Sequence, residues 1–191
     1  MHSMHSLDGE LSVTRLIMLC RESELNSIAI TDHNTTAGLD EAVTVAAASG
    51  MNLIPGIEVD CIFRETDLHL LGYGIDWKSA AFADLEKEVR QKIMEVFPEM
   101  VENLRKQGIT VDPAVVLDHA GGQLPSGELI AEVLLADPVH HDNPLLKPYL
   151  PGGARSDMPY INFYRDYFAQ GKPAYAPIRF MPFRQAVELI R

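Results

Sequence analysis

Cysteine is scarce. Cys20 and Cys61 are the two in 191 residues, far apart and in no Cys-x-x-Cys spacing. That argues against a disulfide framework or a thiolate zinc site and for two small apolar thiols in a reducing compartment. Basic charge is also in short supply: 16 Lys plus Arg face 27 Asp plus Glu, for a net charge of −11. That sign opposes non-specific binding to duplex nucleic acid. No apolar run approaches the ~20 residues that span a membrane. The opening MHSMHSLDGE is polar and lacks the apolar stretch of a signal peptide, so a cytoplasmic location is the default expectation. There is no internal repeat and no low-complexity tract. What is present is apolar content of 47%, enough for one medium domain or a domain with an insertion.

Periodicity orders that content. Val13, Leu16, Ile17, Cys20 and Leu25 predict a helix over residues 12–25 with Ser12 as its N-cap. IAIT at 28–31 reads as a strand and residues 39–49 as an Ala-rich helix stopping at Gly50. NLIPGIEVDCIF and DLHLLGYGI read as further strands carrying Glu58 and His69. This is the βα rhythm of a parallel sheet or barrel. The character changes near Asp76. Helices are predicted over 79–107, 112–120, 126–136 and 157–169, with a loop-rich stretch, ADPVHHDNPLLKPYLPGGARSDMP, before the last. KPAYAP reads as a re-entry segment, and FRQAVELIR as a final amphipathic helix. The expected organisation is an α/β part, residues 1–76 with 173–191, interrupted by a mostly helical insertion, residues 77–172.

Acids and imidazoles of the first half fall near the ends of apolar segments: His2, His5, Asp8, Asp32, His33, Glu58 and His69. Parallel architectures gather strand C-termini at one face, so Asp8, His33, Glu58 and His69 can converge from distant positions. Imidazole with carboxylate suits zinc, manganese or iron. Each residue has a plainer reading taken singly: a hydrogen-bonded surface histidine, a helix cap at Asp32, half an ion pair at Glu58, a frayed terminus at His2. His119 and the pair His140–His141 fall in the insertion and read as surface residues, or less readily as phosphate contacts.

Four segments in order, HSMHSLDGE, AITDHNTTAG, PGIEV and DLHLLGYGID, resemble the opening signature segments of the PHP family, named for polymerase and histidinol phosphatase. The tail YRDYFAQGKPAYAPIRFMPFRQAVELI is similar to the branch of small nucleotide phosphatases and 5′-to-3′ exoribonuclease-like enzymes. The resemblance implies a distorted β/α barrel and two to three divalent ions (Mn, Zn or Fe) in a complete site. It implies His2, Asp8, His33, Glu58 and His69 as metal ligands, with Asp32 behind His33 as a catalytic neighbour.

The resemblance also shows departures. The first histidine of the family's His-x-His would precede Met1, with His5 as a less well spaced substitute. The later Ala-His-Pro and Asp-x-His segments would follow Arg191. The chain is thus expected to be a piece of a longer protein, or a form truncated at both ends, that binds metal weakly and turns over slowly or not at all. PSGELIAEVL places Glu128 where relatives tend to carry phosphate-holding Arg and His. The chemistry implied is hydrolysis of a phosphorylated small molecule, nucleotide or short oligonucleotide. Metal would acidify a bound water from about 15.7 to about 7. Arg155, Arg179 and Arg184 are candidates for contact with the phosphate, Arg179 foremost because it sits at the re-entry to the barrel. The alternatives are a metal-dependent amide hydrolase and a non-catalytic metal-binding module.

Overall fold

The computed structural model describes residues 1–191. Its first helix, α1 (Val13–Glu22), begins where the Ser12 hydroxyl accepts the Arg15 N–H, satisfying an otherwise orphaned amide. Val13, Ile17 and Cys20 form its buried stripe. It stops short of the predicted residue 25. Glu24 takes a left-handed φ of 59° and the Leu25 N–H turns back to the Cys20 carbonyl, a helix-closing arrangement.

Next come β1 (Ser27–Ile30), α2 (Leu39–Ala48) and β2 (Asn52–Phe63). β1 and β2 pair in parallel, Ser27 opposite Asn52 through Ile30 opposite Pro55, which makes the segment a βαβ unit. The next strand departs from the parallel expectation. β3 (Thr66–Tyr73) folds back antiparallel on β2, with Gly56 opposite Tyr73 and Phe63 opposite Thr66. The reason is a two-residue turn, Arg64 (φ 49°) and Glu65 (φ 66°), the pair of positive φ angles that a tight hairpin requires. Arg-Glu carries none of the usual Asn-Gly signature, so the sequence concealed the turn.

After a long intervening segment, β4 (Met181–Pro182) pairs in parallel with β2 at Cys61 and Ile62, and α7 (Phe183–Leu189) follows. The architecture is mixed α/β. The four-stranded sheet, ordered β1-β2-β3 with β4 joined to β2, is open. From Ile57 to Cys61, β2 alternates apolar with acidic residues. Ile57, Val59 and Cys61 are fully buried in the core, which turns Glu58 and Asp60 to the opposite face.

Two compact units share the chain: residues 1–89 with 179–191, and residues 90–178. The long helix α3 (Ala80–Lys106) contributes to both. In the second unit, α4 (Pro113–Ala120) is capped by Asp112 and α5 (Gly127–Ala136) by Ser126. Single 3-10 turns at Pro138–His140 and Lys147–Tyr149 break the loop-rich stretch before α6 (Pro159–Tyr167). Phe97, Leu104, Ile130, Leu134 and Phe163 are core residues of this unit. α5 can start against α6 only because residue 127 has no side chain. An added Cβ would stand 2.7 and 2.8 Å from the Phe168 and Tyr164 rings. No helix is long and apolar enough to cross a membrane.

Candidate metal centre

Five side chains of the first unit meet on the face that β2 presents away from its core. Glu58 lies on β2. His33 follows β1, held to Glu58 by a parallel bridge in which the Asn34 N–H donates to the Glu58 carbonyl at 2.8 Å and the Glu58 N–H to the Asp32 carbonyl at 3.1 Å. His69 comes from the middle of β3, opposite Asp60. Its position therefore arises from hairpin register and not from a strand end. His2 and Asp8 arrive from the opening segment, which runs alongside β1 through a Thr31 N–H bond to the Met1 carbonyl at 2.9 Å.

Two buried serines shape that opening segment. The Ser6 hydroxyl donates to Asp8 Oδ1 at 2.7 Å and accepts the His33 backbone N–H at 3.1 Å, with His2 Nδ1 at 3.3 Å. Ser3 donates twice to Asp32, from its N–H at 2.5 Å and its hydroxyl at 2.6 Å. Gly9 lets the loop close, since a Cβ there would collide with the Ser3 carbonyl. Ser3, Ser6 and Asp60 carry no distinguishing signal in the sequence, because serines near a terminus and an acid within a strand are commonplace.

Asp32 does not join the cluster. It is buried, and both of its oxygens are engaged by Ser3, so its work is to hold the segment that bears His2 and Asp8. Asp32→Ala is expected to cost about 1–3 kcal/mol, the penalty for stranding buried polar partners. Chemical denaturation measures it. An unchanged midpoint would show that the opening segment is held by other contacts.

The donor atoms of His2, Asp8 and His33 lie within 4.8 Å of one another, as do those of His33, Glu58 and His69. His2 Nε2 is 3.3 Å from Glu58 Oε2, His33 Nε2 is 3.7 Å from Asp8 Oδ2, and His33 Nε2 is 3.9 Å from Glu58 Oε1. The last two are too long for hydrogen bonds. Two donors each about 2.1 Å from a common tetrahedral ion stand about 3.4 Å apart, so the set fits a divalent cation by both spacing and chemistry. The rings of His2 and His33 stack at 4.9 Å, and His33 meets His69 edge-on at 4.7 Å.

Burial opposes a charge on His33, but the hydrogen bond and negative charge of Asp60, with the charges of Asp8 and Glu58, outweigh it and hold the imidazole pKa above the ordinary value. Burial likewise opposes ionisation of Asp60. The bond and charge of His33, the charge of His69 and the Asn34 bond overcome it and hold that carboxyl below the usual range. Ligation needs a bare nitrogen, so metal and proton compete at this imidazole.

The other anticipated residues are not members of these donor groups. His5 is exposed, its ring beside Gly38. Arg155 is clamped in two places by Asp166, at 3.1 and 2.8 Å, and Tyr149 also donates to Asp166. Arg184 makes an exposed i,i+4 pair with Glu188 at 3.2 Å. Arg179 is exposed. His119 faces Glu132 at 3.3 Å, and His141 Nε2 meets the Leu135 carbonyl at 3.0 Å.

Residues 1–136 match the family described as PHP domain. This chain belongs to the PHP domain family. A 3′,5′-nucleoside bisphosphate phosphatase of Chromobacterium violaceum is 30% identical over 97% of the chain and 59% of its own length. The 5′-3′ exoribonuclease Rnm of Salmonella typhimurium is 27% identical over 96% of the chain and 57% of its own. Among solved structures, one from Chromobacterium violaceum, described as an amidohydrolase with bound sulfate and no metal, is 29% identical. Its TM-score is 0.73, over 99% of this chain and 61% of that one. A Bifidobacterium adolescentis protein, 23% identical, shares the fold with a TM-score of 0.74, over 99% of this chain and 60% of that one. This PHP chain thus spans about three-fifths of the length of the relatives it matches.

Proposed function

We propose that this chain carries part of the active site of a metal-dependent phosphoesterase, a hydrolase acting on a phosphorylated small molecule, nucleotide or short oligonucleotide. The observation that carries the reading is the convergence of His2, Asp8, His33, Glu58 and His69 on one face. These five are the proposed ligands, for two to three ions (Mn, Zn or Fe) in a complete site. When bound, such ions acidify a water and offset charge on the phosphoryl oxygens. The chain's own part is to supply nitrogen and oxygen donors in a fixed arrangement. Asp32 holds the His2–Asp8 segment in register, and Arg179 is the proposed phosphate contact. Arg155 and Arg184 already have carboxylate partners. The open sheet is read as part of a distorted β/α barrel and residues 77–172 as a helical insertion.

Support comes from relatives named for activity on a nucleoside bisphosphate and on RNA, and from the sulfate, a tetrahedral dianion, bound in the Chromobacterium structure. The description of that structure as an amidohydrolase favours metal-dependent amide hydrolysis as the second reading. Metal-stripped protein reloaded with Mn, Zn or Fe, offered an aryl phosphate, nucleoside bisphosphates and an amide panel, separates them. Metal-dependent release of phosphate is the expected result. Amide turnover without phosphate release would replace the proposal with the second reading. Tight metal with no turnover of either class would make the chain a binding module.

A further inference from the structure

Asp60 is buried directly behind His33, and its hydrogen bonds fix their own polarity. The Asp60 backbone N–H can only donate. It meets Asn34 Oδ1 at 2.9 Å, so that atom of the Asn34 amide is oxygen. The other, Nδ2, therefore donates to Asp60 Oδ2 at 2.7 Å. An ionised carboxylate has no hydrogen to give, so Asp60 Oδ1 accepts from His33 Nδ1 at 2.9 Å. The proton of a neutral His33 is thus on Nδ1. Its bare nitrogen, Nε2, faces Asp8 Oδ2 and Glu58 Oε1. Asn34 is itself fixed, by a left-handed φ of 57° and by its N–H bond to the Glu58 carbonyl.

We propose that Asp60 and Asn34 form a positioning pair that sets the tautomer of His33, leaving Nε2 bare toward the cluster, and thereby sets the affinity of the site for a divalent cation. The affinity half rests on the reading of His33 as a ligand; the tautomer half stands without any metal. Outer carboxylates that orient a ligating imidazole act in this way generally.

The near-isosteric Asp60→Asn variant isolates the effect. If its amide oxygen faces His33, its NH₂ meets the NH₂ of Asn34, donor against donor. If it turns over, its NH₂ donates to Nδ1 and drives the proton to Nε2, where it blocks the lone pair. Adding Asn34→Asp cures the conflict. The carboxylate at 34 then accepts from both the backbone N–H and the amide of residue 60, whose oxygen is free to take the Nδ1 proton of His33. Aspartate tolerates the left-handed backbone at 34 almost as well as asparagine.

Imidazole nitrogen NMR of ¹⁵N-labelled full chain, on the alkaline side where the ring is neutral, reads the tautomer without metal. Calorimetric titration with Zn and Mn reads the affinity. The parent is expected to hold the proton on Nδ1. Asp60→Asn is expected to move His33 to the Nε2–H form or a mixture and to weaken metal about 10–100-fold. The double variant is expected to recover both. A parent with the proton on Nε2 overturns the proposal, even if a variant fails to fold. So does an Asp60→Asn variant with parental tautomer and affinity, or a double variant as weak as the single, or a tautomer change confined to His69, which lies 3.5 Å from Asp60. A parent that binds neither metal sinks the proposed function, while the nitrogen spectra still decide the tautomer.

Discussion

Glu58→Gln is expected to remove metal binding and phosphate-ester turnover together while the fold survives. Glu58 is the one carboxylate that reaches all three imidazoles: Oε2 stands 3.3 Å from His2 Nε2, and Oε1 stands 2.9 Å from His69 Nδ1 and 3.9 Å from His33 Nε2. Glutamine keeps the shape but exchanges one oxygen for an NH₂, which repels a cation, and removes the negative charge. Losing an outer partner of a metal site already costs about 10–100-fold in affinity. Losing a shared ligand should cost more than about 100-fold, with turnover at background. Metal per chain after dialysis, phosphate release and circular dichroism measure the three expectations. A folded glutamine variant that retains parental metal would remove Glu58 from the ligand set.

The second large effect separates His33 from His140. His33 belongs to both donor groups, and its Nδ1 is committed to Asp60, so Nε2 alone is available and can serve only one ion. His33→Ala should strip that ion and also strand the buried Asp60 carboxylate, costing about 1–3 kcal/mol of stability. His140 lies in a 3-10 turn of the other unit, and His140→Ala should leave metal content at the parental value. Equal metal in the two variants would contradict the assignment, whichever direction both moved. Thermal unfolding of both separates loss of ligand from loss of fold.

The contrast between these histidines shows how far residue patterns carry. His33 was readable because it follows a short apolar strand beside an acid, where a parallel βα unit places its chemistry. The pattern of apolar segments makes His69 look like a second strand-end residue, yet it reaches the cluster from mid-strand, through a hairpin whose Arg-Glu turn has no sequence signature. Arg155 shows the opposite failure. An arginine in a Gly-rich loop looks available for phosphate, and only folded proximity brings Asp166 to it.

Local pattern alone determined the apolar segments, the helix starts at Ser12, Asp112 and Ser126, and the supply of imidazole and carboxylate in the first 69 residues, because periodicity and capping act over a few neighbouring residues. Tertiary structure decided the direction of β3, the diversion of Asp32 to Ser3, and the place of Asp60 behind His33. Those depend on cross-strand register and on which buried donor finds which acceptor, relations between residues some 10 to 30 positions apart that no short window of sequence contains.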